Sequence, residues 1–225
     1  GQRHQPEFTM LEWYRREFGL SAIVEDTIAA IRAAVPIDVL AAEPVHIEYR
    51  DSFLDTLGID PFTASIERLA AAATADDGLR QAMGDQRDDW LDLLLATRIA
   101  PTFARDRLTV LRHFPATQAA LARLCADEPL AADRFEVFFG AMELANGYVE
   151  LTDAAEQRRR IETDNANRRR RHLRTRPIDL KLLEALDAGM PNCAGVAMGI
   201  ERLQMVQDDT DDMTNVVTFA FEPSE

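Results

Sequence analysis

A nearly continuous apolar run at residues 134–153, RFEVFFGAMELANGYVELTD, limits what this chain can fold into. The run is too long for one strand and has a glycine near its middle, so it predicts two strands that meet near Gly140. Three glutamates, Glu136, Glu143 and Glu150, recur within it at intervals of seven residues. Because carboxylates are rarely buried without a partner, these glutamates either face solvent or lie against a cation that the chain does not itself supply.

The rest of the chain mixes strand-like and helical patterns without a regular strand–helix–strand alternation. Further strands are predicted at 7–15, 46–49, 106–115, 193–200 and 215–221. Helices are predicted at 21–35, over most of 51–100, and at 116–125, in the Arg-rich segment, at 180–191 and at 201–206. This order predicts one α+β domain whose mostly antiparallel sheet is flanked by helices, with a mainly helical insertion at about 51–100.

Composition narrows the function classes. The net charge of −14 argues against broad nucleic-acid binding, although residues 158–176 hold nine arginines and only two acids. We interpret that segment as a solvated helix and loop rather than a phosphate-binding patch, because no aromatic residue lies among the arginines. The chain contains no apolar run long enough to cross a membrane, and its first residues resemble no signal peptide, so we expect a cytoplasmic protein. Its two cysteines, Cys125 and Cys193, lack CxxC spacing and do not indicate a zinc site.

The period-two geometry of strands predicts a site for an amine. Alternate positions place Asn146, Tyr148 and Glu150 on one face of a strand, and the same holds for a second set: Phe8, Met10, Glu12 and Tyr14. If the two faces align in one sheet, Glu12 and Glu150 would flank a spot lined by aromatic rings. Such a spot would bind a primary ammonium through charged hydrogen bonds and cation–π attraction. The alternative is a sheet with one polar face in water.

Two other groups of residues could bind a ligand. Glu136 and Glu143 lie on either side of the predicted turn and could hold Mg²⁺ through carboxylate oxygens, or could simply be exposed. In GVAMGIER, Gly195, Ala197 and Gly199 leave one strand face nearly bare, which suits either a flat ligand beside Arg202 or tight strand packing. No phosphate-binding glycine loop and no HExxH motif is present.

Three motifs resemble those of class II aminoacyl-tRNA synthetases. RHQPEFTMLEWY resembles the second half of the second signature motif, GMPNCAGVAMGIERL the third motif, and ELANGYVELTDAAEQ the lysine-recognition strand of lysyl-tRNA synthetases. Within this family, HFPATQAALA and NCAGVAMGIER look more similar to the elongation factor P (R)-β-lysine ligases, because synthetases usually carry glycine where Ala197 stands. The resemblance implies ATP-dependent adenylation of lysine or (R)-β-lysine, followed by transfer to an acceptor amine on elongation factor P.

The resemblance also implies roles for individual residues. Phe8 would stack on adenine with Gly199 nearby and Arg202 covering its other face, while Arg3 and His4 would lie near the phosphates; Arg3 and Arg202 would be the catalytic arginines. Mg²⁺ on ATP would be held by Glu136 and Glu143. The amino acid would be received by six residues: Glu12, Tyr14, Asn146, Tyr148, Glu150 and Ala197.

The resemblance leaves the acceptor open. Residues 1–225 would be a partial catalytic domain that begins inside the second motif, and the complete protein would be a homodimer. The first alternative is a lysyl-tRNA synthetase catalytic domain that charges tRNA with lysine. The second is a truncated synthetase-like module that binds ligands without catalysis.

Overall fold

The computed structural model describes residues 5–220, which contain a mixed six-stranded sheet. In chain order the strands are β1 (Met10–Arg16), β2 (Val45–Glu48), β3 (Leu108–Pro115), β4 (Ala131–Phe139), β5 (Met142–Val149) and β6 (Cys193–Gly199). Across the sheet their order is β1-β6-β5-β4-β3-β2. β2 and β3 are parallel and every other neighbouring pair is antiparallel, as the strand patterns predicted.

Eight α-helices complete this part of the chain and confirm the α+β class. They are α1 (Leu20–Ala34), α2 (Tyr49–Leu57), α3 (Ile66–Ala72), α4 (Asp77–Met83), α5 (Arg87–Leu94), α6 (Ala154–Arg170), α7 (Leu180–Asp187) and α8 (Ile200–Gln207). Between residues 5 and 220 none of these helices is both long and apolar enough to cross a membrane.

One face of the sheet packs against α1. This helix buries a stripe of apolar side chains at helical spacing, including Ile23, Ile28 and Ile31. These side chains contact Val137 of β4 and Val196 of β6 in the larger apolar core, so α1 packs against the central strands of the sheet.

The opposite face is covered only in part. Helices α2, α3 and α5 bury Tyr49, Phe53 and Trp90 against Leu111 of β3 and Phe138 of β4. On the same face, β1 and β5 carry half-buried and exposed polar side chains, and β6 between them presents mainly glycine and alanine. Residues 51–100 are therefore mainly helical, as predicted, while their status as an insertion in the family's domain stays a prediction.

The predicted helix at 116–125 is wrong. Only Ala116–Gln118 forms a short 3-10 turn, and Ala120 then adopts a left-handed backbone conformation, with a φ of 50°, that ends helical geometry. Beyond it the backbone pairs with its neighbours, since Arg123 N–H donates to Val149 and Leu151 N–H donates to Leu121. Ala-rich composition favoured a helix, but tertiary pairing with the end of β5 prevails.

The predicted strand at 215–221 is also wrong within the described residues. Met213–Asn215 forms a 3-10 turn capped by the Asp212 side chain, which accepts a hydrogen bond from the Thr214 N–H. Val216 and Val217 pack against the larger core without joining the sheet. Their β-branched side chains suggested a strand, yet they are partly buried in a non-strand segment that follows the turn.

Candidate functional site

β6 separates the two strands whose polar faces were predicted to align. Antiparallel pairing places Glu12 of β1 opposite Ala197 of β6, and Ala197 opposite Asn146 of β5. Asn146 in turn lies opposite Glu136 of β4. A row of polar side chains thus crosses four strands, with the small Ala197 at its centre where a ligand could approach the sheet.

The neighbouring row brings two tyrosines together over a glycine. Tyr14 lies opposite Gly195, and Gly195 opposite Tyr148. A Cβ atom added at Gly195 would lie 2.7 Å from Tyr14 Cε1 and 2.9 Å from Glu150 Oε1. Tyr14 and Glu150 therefore cover the Gly195 backbone directly, and only glycine leaves room for both.

Glu150 is a buried carboxylate that lacks a charged partner in the part of the chain that the structure describes. It follows the last residue of β5 and is only 9% exposed. Within residues 5–220 its side chain makes neither an ion pair nor a hydrogen bond, and burial alone raises its pKa to about 7. The attraction of a bound cation would offset the energetic cost of burying this charge, so the environment of Glu150 suits a positively charged ligand.

The negative charge of Glu150 acts on both Tyr14 and Tyr148. Burial, followed by the charge of Glu150, raises the pKa of Tyr148 to about 12 and also raises the pKa of Tyr14. Both phenols consequently stay neutral at physiological pH and offer hydroxyl groups and ring faces beside the carboxylate. This is the combination that binds an ammonium group by charged hydrogen bonds and cation–π attraction.

Arg134 organises the site although the sequence analysis did not single it out. Its guanidinium donates to Glu136 at 2.6 Å, to Asn146 at 3.2 Å and to the Gln118 carbonyl at 2.9 Å. It also lies 4.4 Å from the centre of the Phe114 ring. The signal for it was available, because Arg134 precedes Glu136 by two positions and so shares its strand face.

Glu136 and Glu143 form the predicted carboxylate pair. Burial, then the charge of Glu143, raises the pKa of Glu136, and the nearby Arg134 only partly offsets that rise. Glu143 lies 3.4 Å from Arg202, which also donates to the Glu143 carbonyl at 2.8 Å. Two carboxylates that repel each other on one face supply the oxygen ligands that a hard divalent cation prefers.

A cavity of about 260 Å³ is lined in part by Glu143. It is lined by residues from the predicted nucleotide site and by some that the sequence analysis missed: Gln5, Phe8, Met10, Glu143, Leu144, Asn146, Ala197, Gly199, Glu201, Arg202 and Met213. Its size is near the lower end of small-molecule sites and suits a flat ring with a sugar. Glu201 fixes one wall, since its carboxylate accepts the Thr9 N–H at 2.9 Å.

The structure therefore assembles most of the predicted residues on one sheet face. Tyr14, Tyr148 and Glu150 are grouped around Gly195, as the register and the contacts at Gly195 show, and Glu12 lies in the adjacent row opposite Ala197. The cavity joins Phe8, Gly199 and Arg202 to Glu143 and Ala197, and Glu136 lies beside Asn146. Arg3 and His4 lie outside the described residues.

Comparison with known proteins gives the family. The sequence pattern of the tRNA synthetases class II (D, K and N) matches residues 1–223. The chain belongs to this family. An elongation factor P–(R)-β-lysine ligase of Sodalis glossinidius (strain morsitans) is 42% identical over 223 residues, which are 99% of this chain and 67% of that protein.

Two further relatives carry the same name. The ligase of Pasteurella multocida (strain Pm70) is 40% identical over 225 residues, and that of Haemophilus influenzae (strain PittGG) is 40% identical over 223 residues. These alignments cover 99% and 98% of this chain and 67% of each relative. The chain is thus a ligase of the class II synthetase family, and it spans about two thirds of the length of these relatives.

Proposed function

We propose that this protein activates (R)-β-lysine with ATP as an aminoacyl adenylate and transfers it to a lysine of elongation factor P. The names of the relatives support the substrate and the acceptor. The observation that carries the proposal is the buried Glu150 carboxylate, which has no charged partner between residues 5 and 220 and lies beside Tyr14 over Gly195. A lysine-like side chain supplies the ammonium that this pocket needs.

The amino acid would lie across β6. Glu150 would receive the side-chain ammonium between the two tyrosines, while Glu12 and Asn146 in the adjacent row would receive the backbone end over Ala197. Arg134 donates to the Asn146 side-chain oxygen and so fixes the direction of that amide. A close-packed floor can discriminate one methyl group by about 1–3 kcal/mol, so Ala197 is placed to distinguish substrates by the shape of their backbone end.

The nucleotide would occupy the neighbouring cavity. Phe8 is largely exposed and lines this cavity together with Arg202, so a purine ring could lie between the two side chains. Arg3 and His4 would approach the phosphates in this proposal. The cavity and the amino-acid row share Asn146 and Ala197, which would bring the reacting carboxylate close to the nucleotide.

Glu136 and Glu143 would hold Mg²⁺. Their mutual repulsion and the raised pKa of Glu136 make a divalent cation a fitting partner. Bound there, Mg²⁺ would neutralise phosphate charge.

The chemistry needs no protein nucleophile. A substrate carboxylate oxygen forms the new bond to the α-phosphorus of ATP, and pyrophosphate leaves with the electron pair of the broken bond. The protein would act by positioning both reactants and by placing guanidinium charge near the phosphates. An acceptor amine then attacks the acyl carbon and AMP leaves.

The alternative acceptor is tRNA. The arginines at the end of α6, Arg168 to Arg171, give this acidic chain one basic segment that a polyanion could contact. We favour a protein acceptor, because the remaining surface would repel a polyanion. Amino-acid-dependent ATP–pyrophosphate exchange, compared for (R)-β-lysine and lysine, tests the activation step. No exchange with either amino acid would support a binding module without catalysis.

Gly195→Ala is expected to reduce amino-acid binding by about a hundredfold while the fold persists. The added methyl group would push away Tyr14 and Glu150, whose side chains can move, rather than backbone atoms. Isothermal titration with (R)-β-lysine measures the effect. Gly19→Ala is the matched control, because a Cβ there meets no atom within 4 Å. Equal affinity in both variants would contradict the placement of the amine over Gly195.

Amino-acid affinity is expected to rise with pH and to level off above about pH 7. The ammonium binds the ionised form of Glu150, whose pKa is raised to about 7, so affinity should fall roughly tenfold per pH unit below that value. Titrations in buffers of different ionisation enthalpy should show that binding near pH 6 releases a proton from Glu150. The free energy of unfolding of the ligand-free protein has the opposite pH dependence. Between about pH 4.5 and 7, Glu150 stays protonated in the folded protein but is ionised in the unfolded chain, so stability decreases as pH rises through this range. Affinity that is constant from about pH 5.5 to 7.5 would contradict the role of Glu150.

A further inference from the structure

A second cavity lies at the far end of the sheet, beside β2, β3 and β4 and away from the amine pocket. It has a volume of about 440 Å³ and is lined by the ends of β2 and β3, the start of α2, Phe62, the start of β4 and residues 123–128. Asp133 opens into this cavity, whereas Arg134, the next residue of β4, faces the amine pocket. We call it the rear pocket.

Three metal-binding side chains converge in the rear pocket. Nitrogen, sulfur and oxygen ligand atoms of His113, Cys125 and Asp133 lie within 4.8 Å of one another. Cys125 Sγ is 3.4 Å from Asp133 Oδ1, and His113 Nε2 is 4.0 Å from the same oxygen. Ligands at zinc bond lengths of about 2.0–2.3 Å in a tetrahedron are separated by comparable distances, so small side-chain movements would complete the site.

His113 and Asp133 each have a neighbouring side chain that orients them. Glu48 contacts His113 Nδ1 at 2.5 Å, so that Nδ1–H donates to the carboxylate and Nε2 is directed towards Asp133. Arg123 donates to Asp133 Oδ2 at 2.7 Å, which leaves Oδ1 directed towards the thiol. A carboxylate behind a histidine is the usual support of a metal-bound imidazole.

The backbone directs His113 into the pocket. The register of β3 and β4 shifts between Arg112 and Phe114, and His113 at this bulge has a φ of 57°. A non-glycine residue in this left-handed region is uncommon, and bulges often re-aim a side chain. The uncommon backbone conformation of His113 thus occurs at the residue whose imidazole lies beside Asp133.

The nearby arginines do not fill the position between the three ligands. Arg112 donates to Glu48 Oε1 at 2.6 Å, and Arg50 donates to Asp60 at 2.6 Å. Arg123 contacts the outer oxygen of Asp133. Each of these guanidinium groups is therefore paired at the rim of the cavity. The nitrogen of His113, the sulfur of Cys125 and the inner oxygen of Asp133 face one another.

We propose that His113, Cys125 and Asp133 bind one zinc-class transition-metal ion, with a fourth position open to water. A nitrogen, sulfur and oxygen donor set favours Zn²⁺ over Mg²⁺, which binds all-oxygen sites. This site is separate from the carboxylate pair proposed for Mg²⁺, and it joins the 121–125 segment to β3 and β4. The sequence analysis did not indicate it, because the ligands lie on two strands and a loop and become neighbours only through the bulge.

Cobalt binding tests this site without relying on enzyme activity. Metal-free full-length protein is titrated with Co²⁺, and the expected result is one ion per chain with a thiolate-to-cobalt charge-transfer band and the visible bands of tetrahedral cobalt. Zn²⁺ should displace Co²⁺ and remove both signals. Absence of the charge-transfer band in the wild-type protein would overturn the proposal.

Variants assign the ligands. Cys125→Ser and Asp133→Asn should each remove the charge-transfer band or weaken Co²⁺ binding at least about a hundredfold, and Glu48→Gln should weaken it by about 10–100-fold. Cys193→Ser is the matched control, since the other cysteine is buried in β6 and should not alter the band. A band that survives Cys125→Ser, or disappears with Cys193→Ser, would overturn the assignment.

Discussion

Replacing Glu150 by glutamine is expected to lower (R)-β-lysine-dependent ATP–pyrophosphate exchange by at least about a hundredfold. Removing one partner of a buried charge pair leaves the other unpaired, at a cost of roughly 3–5 kcal/mol. Each 1.4 kcal/mol corresponds to a factor of ten. Because glutamine has nearly the same size and Glu150 has no charged partner among the described residues, the fold should persist.

Two controls separate binding from folding. The thermal midpoint of Glu150→Gln should equal or exceed that of the wild type at about pH 8, where the buried carboxylate is ionised at the expense of stability. Glu184→Gln, an exposed change on α7, should leave exchange unaltered. Exchange by Glu150→Gln within tenfold of the wild type would remove Glu150 from the ammonium site.

Substitutions in the carboxylate pair, Glu136 and Glu143, are expected to have the second large effect on exchange. Glu136→Gln and Glu143→Gln are each expected to shift the Mg²⁺ concentration at half-maximal exchange upwards by about tenfold or more, because each removes an oxygen ligand of the proposed ion. A Mg²⁺ titration of the exchange rate measures this shift. Glu136→Gln should be the more damaging, since it also leaves Arg134 without its carboxylate partner.

The Mg²⁺ dependence separates this explanation from a general loss of structure. A variant that is only destabilised would show a lower maximal rate with an unchanged Mg²⁺ midpoint. Unchanged midpoints in both variants would therefore contradict the metal assignment.

The strands of the site could be predicted because their side-chain direction follows from alternation alone. Asn146, Tyr148 and Glu150 share a face whatever the strand's neighbours are, and so do Glu12 and Tyr14. The sequence did not reveal that β6 would lie between these two strands. That placement explains the small residues of GVAMGIER, because Gly195 and Ala197 leave room for the side chains of both neighbours.

Features that depend on distant contacts could not be predicted. The 116–125 segment has helical composition, yet it pairs with residues near the ends of β4 and β5. Arg134 owes its importance to Gln118 and Asn146, and His113 owes its direction to a bulge. In each case a tertiary contact prevails over the local preference of the sequence.

One assay tests the central claim most directly. The full-length protein is incubated with ATP, Mg²⁺ and labelled (R)-β-lysine or lysine, together with either elongation factor P or tRNA, and the label is followed on each acceptor. We predict label on elongation factor P, more from (R)-β-lysine than from lysine, with little on tRNA. Efficient charging of tRNA with lysine, and no label on elongation factor P, would contradict the proposed function and favour a lysyl-tRNA synthetase.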